Sequence, residues 1–347
     1  MSVNGVSCLR ALCIQSHVVH GYVGNRSAVF PLQESKLTSL TRYSFQTTQV
    51  CVFLVILHTG YDCVRGQVLD ANDLKDIYLG LKANGLHRYT HVLTGYVGSS
   101  SFLEAVSYIV SDLKKENPGL KFYCDPVLGD RGKLYVPAEL VQIYQEKILP
   151  LSDVLLPNQF EAELLSGMQI IDEESALNCI NHLHKQYRIS TVIITSTNVN
   201  SSEVMYGYAS HLTNSMNLLE NHLPSHQTTT SYMSIKPEYD RLRLRIPYLN
   251  CHFTGTGDLF AALTLARLET QIVKDDGEQV AKYSFKEAFQ WVLSTMQAIL
   301  LRTLKMSTSS DKESMDDMPK ADRIELKLVQ SIHDIQNPVL GDYVEQI

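Results

Sequence analysis

The chain is poor in the features that would place it at once. It has one tryptophan, no Cys-X-X-Cys pair and no Lys-Ser/Thr phosphate loop of the Walker type. No GxGxxG follows its first strand-like run, which removes a dinucleotide-dependent dehydrogenase. Its most apolar stretch, Val50 to Leu57, is far short of the roughly 20 residues a membrane-spanning helix needs. The opening MSVNGVSCLRALCIQSH lacks a basic segment followed by a long apolar one, so no export signal and a cytosolic location are expected. Positive charge is also in deficit. A net charge of −7 and a pI near 5.9 argue against nucleic acid or an anionic membrane as partner. The seven cysteines are odd in number and scattered, which fits reduced core thiols of an intracellular protein.

What is present is ordinary globular composition. Hydrophobic residues make up 44% and charged residues 19% of 347, enough for one large α/β domain or two small ones. Short β-like runs alternate with helical patterns. Strands are expected at 8–14, 90–97, 120–130 (broken by Pro126), 153–157, 190–196 and 241–248. Helices are expected at 99–117, 137–148, 158–167, 259–269 and 284–304, with a closing segment at 323–338. Such alternation predicts a mostly parallel sheet covered on both faces. Two stretches read as additions to that core: a polar insertion at about 197–236, with room for a hairpin, and a mobile surface loop at about 306–322.

In open α/β sheets, ligands bind beyond the carboxyl ends of the strands. Polar groups collect there: Ser16 at a turn after the first strand, Asp125 and Asp130 after KFYC, Asn158 and Glu161 after DVLLP, Thr195 and Ser196 after TVIIT, and Asp258 in FTGTGDLF. Gly255 and Gly257 would let the backbone approach an anion at a helix start, which adds partial positive charge. Asp258 there reads either as a helix N-cap or as a reacting carboxylate. CDPVLGD reads as a solvated turn or as a site for Mg²⁺ and ATP phosphates through water, since Mg²⁺ prefers oxygen ligands and keeps its waters. PNQFE reads as a capping arrangement or as an extension of that network. His17 and His20 have no evident third ligand, so no metal site is expected at them.

Taken together, these segments resemble pyridoxal kinase, of the ribokinase-like superfamily. The resemblance lies in IQSHVVHGYVGNRSAVFPLQ (14–33), HTGY with RGQVL (58–69), HVLTGYVGSSSFL, CDPVLGDRGKLYVP, LLPNQFEAELLSG, VIITS, FTGTGDLFAA and LVQSIHDIQNP. It implies one ribokinase-like, three-layer α/β/α domain over 1–347 and ATP-dependent phosphorylation of the 5′-hydroxymethyl group of pyridoxal, pyridoxine and pyridoxamine. A divalent ion such as Mg²⁺, K⁺ and a homodimer are implied with it. Carried over by position, Ser16, Thr59 and Tyr96 would line the vitamer pocket. Asp125, Tyr135, Asn158, Thr195, Ser196, Thr256 and Gly257 would meet ATP, and Asp125, Asp130 and Glu161 would hold the metal through water. Gly255, Thr256 and Gly257 would form the anion hole, and Asp258 would contact the vitamer as catalytic base. RGKL, between Asp130 and Tyr135, is short, so a small lid over ATP is expected.

The resemblance leaves mainly 34–57 and 197–250 uncovered, and at 34–57 ESKLTSLTRYSFQTTQVCVFLVIL replaces the wording expected of the family. CVFLVIL is β-branched and strand-sized, so it is a candidate replacement strand; the composition equally suits retained intron sequence or alternative splicing. Near Val64 the aromatic or bulky residue expected of the family is also missing, which removes the expected ring stacking on the substrate, and a genuine 34–57 segment leads us to expect weakened pyridoxal affinity. Two other functions compete. A hydroxymethylpyrimidine kinase would share GTGD, and a non-catalytic vitamer- or nucleotide-binding protein would share the fold but have no need of Asp258.

Overall fold

The computed structural model describes residues 9–34, 45–55, 66–197, 199, 204–213, 237–273, 280–308 and 325–347. Along the chain these form β1 (Leu9–Val18), α1 (Asn25–Glu34), β2 (Phe45–Val55), β3 (Gly66–Val68), α2 (Ala71–Ala83), β4 (His91–Thr94), α3 (Ser100–Glu116) and β5 (Lys121–Cys124). A small hairpin, β6 (Gly129–Asp130) and β7 (Lys133–Leu134), precedes α4 (Glu139–Ile143), β8 (Val154–Leu155), α5 (Gln159–Ser166) and α6 (Glu173–Tyr187). The second half adds β9 (Thr191–Thr197), β10 (Val204–Leu212), β11 (Tyr239–Pro247), α7 (Thr256–Glu269), β12 (Gln271–Val273), β13 (Val280–Lys282), α8 (Phe285–Thr308), α9 (Ile332–Gln336) and β14 (Val344–Gln346).

One sheet of ten strands runs β14-β11-β10-β9-β8-β5-β4-β1-β2-β3. Its centre, from β2 to β9, is parallel throughout, and antiparallel strands finish both edges. Successive side chains of a strand point to opposite faces, and here they sort into two cores. Leu12, Ile14, Val92, Phe122, Leu155 and Val192 pack under α2 to α6. Ala11, Cys13, Leu93, Tyr123, Val154 and Ile193 pack under α1, α7, α8 and α9. Strands buried on both faces carry near-continuous apolar runs, which is why the central ones are short and unambiguous. Helix α7 is buried from Leu259 through Arg267, as expected of a helix that is apolar all round. The expected three-layer α/β/α architecture is therefore observed.

Several expectations need correction. The first strand does not stop before Ser16; it continues to Val18, with a bulge between Gln15 and His17 that keeps it paired to β2. The run 120–130 is not one strand. β5 ends at Cys124 ahead of Pro126, which has no N–H for a ladder, and Gly129–Asp130 pairs only within its hairpin. The helix expected over 137–148 becomes α4, a π turn at Tyr144–Ile148 and a 3-10 turn at Leu149–Leu151. The stretch taken as an insertion at 197–236 contains β10, a full strand of the main sheet pairing antiparallel with β9 and β11; residues 214–236, at its far end, lie outside the described residues. Of the loop expected at 306–322, residues 306–308 extend α8 and the remainder lies outside the described residues. Within 34–57, Phe45–Val55 does form a strand, parallel to β1 and antiparallel to β3. Among the described residues no helix is long and apolar enough to cross a membrane.

Candidate active site

Helix α7 begins at Thr256, with Gly255 as its N-cap in the left-handed region at φ +80°. A Cβ on Gly255 would collide with the Tyr22 carbonyl, so glycine is required both for the conformation and for the approach of the β1–α1 turn. Asp258 is thus not the N-cap, as one reading of the sequence had it, but a residue of the first helical turn. The first N–H groups of α7 have no partner within the helix and point out of its N-terminus, a natural seat for an anion.

The Asp258 carboxylate faces the ends of β1 and β4. Its Oδ2 accepts the Gly24 N–H at 2.9 Å. Its Oδ1 lies 3.3 Å from where a Cβ on Gly95 would stand, and Cγ and Cδ of Gln15 lie 3.3 Å from that same point. Gly95 therefore leaves the space into which both side chains reach. Burial pushes the Asp258 carboxyl up to about 6, while the Gly24 N–H holds it down by favouring the charged form. Gly24 in turn packs so tightly on Ser16 that a Cβ would strike its carbonyl and hydroxyl, which brings Ser16 into the same corner. The side-chain amide of Gln15 is buried, and both its heteroatoms lack a hydrogen-bond partner among the described residues. Burying such a group unsatisfied costs about 1–3 kcal/mol.

The second carboxylate, Asp125, is buried just beyond β5, with its Oδ2 3.8 Å from where a Cβ on Gly257 would be. Burial first, then the charges of Glu161 and Asp258, hold its carboxyl well above the usual carboxylate range. Glu161 is buried too. It accepts N–H groups from Leu128 (2.9 Å), Gly129 (3.4 Å) and Asn158 (2.8 Å), and still sits up at about 7 because burial outweighs those bonds. Asn158 caps α5 through its Oδ1 to the Glu161 N–H at 3.0 Å and donates Nδ2 to the Gly129 carbonyl at 2.7 Å. The PNQFE motif is thus a capping box that also clamps the Asp125–Asp130 segment.

Asp130 accepts the Arg131 N–H at 2.8 Å and is half-exposed at the root of the β6–β7 hairpin. Arg131 and Gly132 at its tip have φ of +48° and +77°, the pattern of a tight two-residue hairpin, so the segment between Asp130 and Tyr135 is short. Tyr135 follows it, exposed, with its phenol pushed up by burial and then by Asp130 and Glu161. Tyr96 stands half-buried beyond β4, and burial raises its phenol. Thr195 and Ser196 lie half-buried near the end of β9, Thr195 donating its N–H to the Pro157 carbonyl at 2.9 Å. The geometry brings Ser16, Asp125, Glu161, Gly255, Gly257 and Asp258 into one corner. Among the described residues no hydrogen bond or ion pair joins Thr195 or Ser196 to it, and Thr59 lies outside the described residues. Gln15, Gly24 and Gly95 complete the corner although no residue pattern had singled them out.

The chain is 40% identical to a pyridoxal kinase of Arabidopsis thaliana over 331 residues, which is 95% of this chain and 92% of that one. It is 38% identical to the human pyridoxal kinase over 333 residues, 95% of this chain and 96% of that one. The chain belongs to the pyridoxal kinase family. The broader family described as phosphomethylpyrimidine kinase matches residues 87–300. In backbone, the pyridoxal kinase of Leishmania donovani in complex with ADP and pyridoxamine superposes with a TM-score of 0.77 at 27% identity, covering 97% of this chain and 99% of that one. A pyridoxal kinase backbone therefore superposes on this chain over almost its whole length.

Whether the corner suits a divalent ion can be judged from its donors. Among the described residues no three His, Cys, Asp or Glu side chains form a ready-made cage. What they offer instead is an excess of hard oxygen donors: Asp125 is raised by the charges of Glu161 and Asp258, and Glu161 by that of Asp130. Such a set suits a hydrated Mg²⁺, which takes one or two carboxylates and keeps its waters.

Proposed function

We propose that this chain transfers the γ-phosphoryl group of ATP to the 5′-hydroxymethyl group of pyridoxal, pyridoxine and pyridoxamine, with Asp258 as the base. The reading is supported by the family and by the similarity to a pyridoxal kinase solved with ADP and pyridoxamine. One observation carries the mechanism: a carboxylate raised to about 6 and held by the Gly24 N–H stands in the first turn of a helix whose N-terminal N–H groups can receive an anion.

Loop and carboxylate then serve opposite ends of one in-line transfer. The N–H groups of Gly255, Thr256 and Gly257 face the charge that spreads over the phosphoryl oxygens, where prearranged donors lower the barrier most. Asp258, ionised at neutral pH, orients the alcohol and accepts its proton as the new P–O bond forms; full deprotonation of so weak an acid beforehand is unnecessary. Ser16, Thr59 and Tyr96 line the vitamer side, and Thr195, Ser196, Asn158 and Tyr135 the nucleotide side. Asp125, Asp130 and Glu161 would hold Mg²⁺ through water, and the bound ion would neutralise charge on the phosphates. K⁺ enters as an assay variable, turnover in K⁺ being compared with turnover in Na⁺. A single catalytic domain, a homodimer and a cytosolic location complete the proposal; light scattering on the purified chain decides the dimer.

The deciding assay couples ADP release to a reporter, with pyridoxal, pyridoxine and hydroxymethylpyrimidine as substrates. Vitamer-dependent ADP release is expected. Turnover confined to hydroxymethylpyrimidine would favour the thiamine-pathway reading that the broader family match allows. No turnover with any of them, despite nucleotide binding, would indicate a non-catalytic binder. The altered 34–57 segment predicts a raised KM for pyridoxal, and a KM ordinary for the family would refute that part alone.

A further inference from the structure

The turn between β1 and α1, with the first turn of α1, touches the start of α7 at three points. Gly24 donates its N–H to Asp258 Oδ2 at 2.9 Å, Ser27 donates its hydroxyl to the Gly255 carbonyl at 3.0 Å, and the Tyr22 carbonyl occupies the space where a Cβ on Gly255 would stand. The position of this turn therefore sets the position of the Asp258 carboxylate. The same turn is gripped from a distant part of the chain. Glu325, buried in the segment between α8 and α9, accepts the Tyr22 N–H on Oε2 at 3.0 Å. Its carboxyl group also fills the space where a Cβ on Gly21 would stand, and Gly21 is in the left-handed region at φ +81°. Tyr22 is thus held by its N–H on Glu325 and leans its carbonyl on Gly255. Arg26 lies over the Tyr22 ring at 5.1 Å, and it lines a shared cleft with Glu325 and Lys327.

We propose that Glu325 is a positioning residue for phosphoryl transfer: by holding Gly21 and Tyr22 it fixes the turn whose Gly24 N–H orients the Asp258 carboxylate. In this reading Glu325 acts through the turn and contacts neither substrate. Its influence falls on the alignment of the base, where a displacement of about 1 Å can cost a hundredfold in rate. Binding of vitamer and nucleotide depends on other groups and should be spared. The inference rests on Asp258 acting as the base toward a B6 vitamer.

The test is steady-state kinetics on the full chain with pyridoxal and ATP, alongside thermal unfolding. In Glu325→Ala, kcat is expected to fall roughly tenfold to a hundredfold while both KM values stay within about twofold. Glu325→Gln keeps an acceptor oxygen for the Tyr22 N–H and is expected to restore most of the loss. Should Glu325→Ala fail to fold, Glu325→Asp, one methylene shorter, takes its place. Full kcat in the Ala or Asp variant overturns the proposal. So does a Gln variant as slow as Ala, or a loss confined to KM or to thermal stability. Absence of turnover in the unaltered chain would instead remove the vitamer kinase reading itself, so the two failures are distinct.

Discussion

Buried carboxylates sit at opposite ends of the same sheet, three at one end and a single one at the other, and their surroundings push them in opposite directions. At the carboxyl ends of the strands, Asp125, Glu161 and Asp258 are all raised, by burial and, at Asp125 and Glu161, by neighbouring like charges, and no lysine or arginine is among the causes. At the other end, Glu269 closes α7. It accepts Lys121 Nζ (2.7 Å), Lys282 Nζ (2.6 Å) and the Tyr123 hydroxyl (2.8 Å), with His91 Nε2 at 3.6 Å. Burial pushes Glu269 up, but His91 and the two lysines more than reverse this and hold it well below the usual carboxylate range. One helix thus carries a satisfied carboxylate at its end and an unsatisfied one at its start. A carboxylate kept for structure is given its cations; one kept for chemistry is left to wait for the cation and the proton that substrates bring.

The sharpest way to break this contrast is to exchange charge for isosteric amide at the unsatisfied end. Asp258→Asn retains an acceptor for Gly24 and is expected to keep binding ATP analogues, while kcat falls by about a hundredfold or more. Retained turnover would remove the base from the mechanism. At the satisfied end the expected signature is inverted. Glu269→Ala strands two lysines, a histidine and a buried phenol, and should cost about 3 kcal/mol of stability, the low side for a broken buried ion pair because both lysines reach water. Denaturant unfolding measures this, and kcat per folded molecule should hardly change. A large loss of kcat without loss of stability would show the two ends to be coupled.

Legibility in the sequence follows the range of the contacts involved. Alternating patterns located the central strands and five groups of polar residues at their ends, because periodicity and turn chemistry are local. Helices α2 and α6 escaped notice although each opens on a capping box, Asp70 with Asp73 and Asp172 with Ser175. β10 was hidden by polar flanks, yet Tyr208 and Ala209 are buried on opposite faces of the sheet. What no local pattern could supply is the pairing of Gly24 with Asp258, of Tyr22 with Glu325, or of Lys121 with Glu269, since each partner lies at least 148 residues away. The family resemblance named Ser16, Asp125 and Asp258 for the site, and the fold gathers them. It had no reason to name Gln15, whose buried amide has no hydrogen-bond partner among the described residues.

The two ends also differ in how pH acts on them, and the signs can be worked out. Asp258 and Glu161 have folded values of about 6 and 7, above their unfolded ones, so the stability they contribute is present below about pH 4 and is lost as pH rises through those values. Glu269 is depressed, so its contribution is present above about pH 4.5 and is lost only as pH falls below that. Without ligands the fold should therefore be most stable near pH 5 and weaken by roughly 1–3 kcal/mol toward pH 8. Asp258→Asn should flatten part of that slope, and chemical denaturation at pH 5, 6.5 and 8 measures it. An unchanged slope would mean that Asp258 is not raised by its surroundings. Activity should run the other way, kcat falling below about pH 6 as Asp258 takes up its proton. The smallest effect belongs to the satisfied end. Tyr123→Phe removes one of several donors to Glu269 and should cost about 1 kcal/mol at all three pH values, because the lysines still hold the carboxylate ionised. A pH-dependent loss there would show that the phenol, rather than the lysines, sets the charge of Glu269.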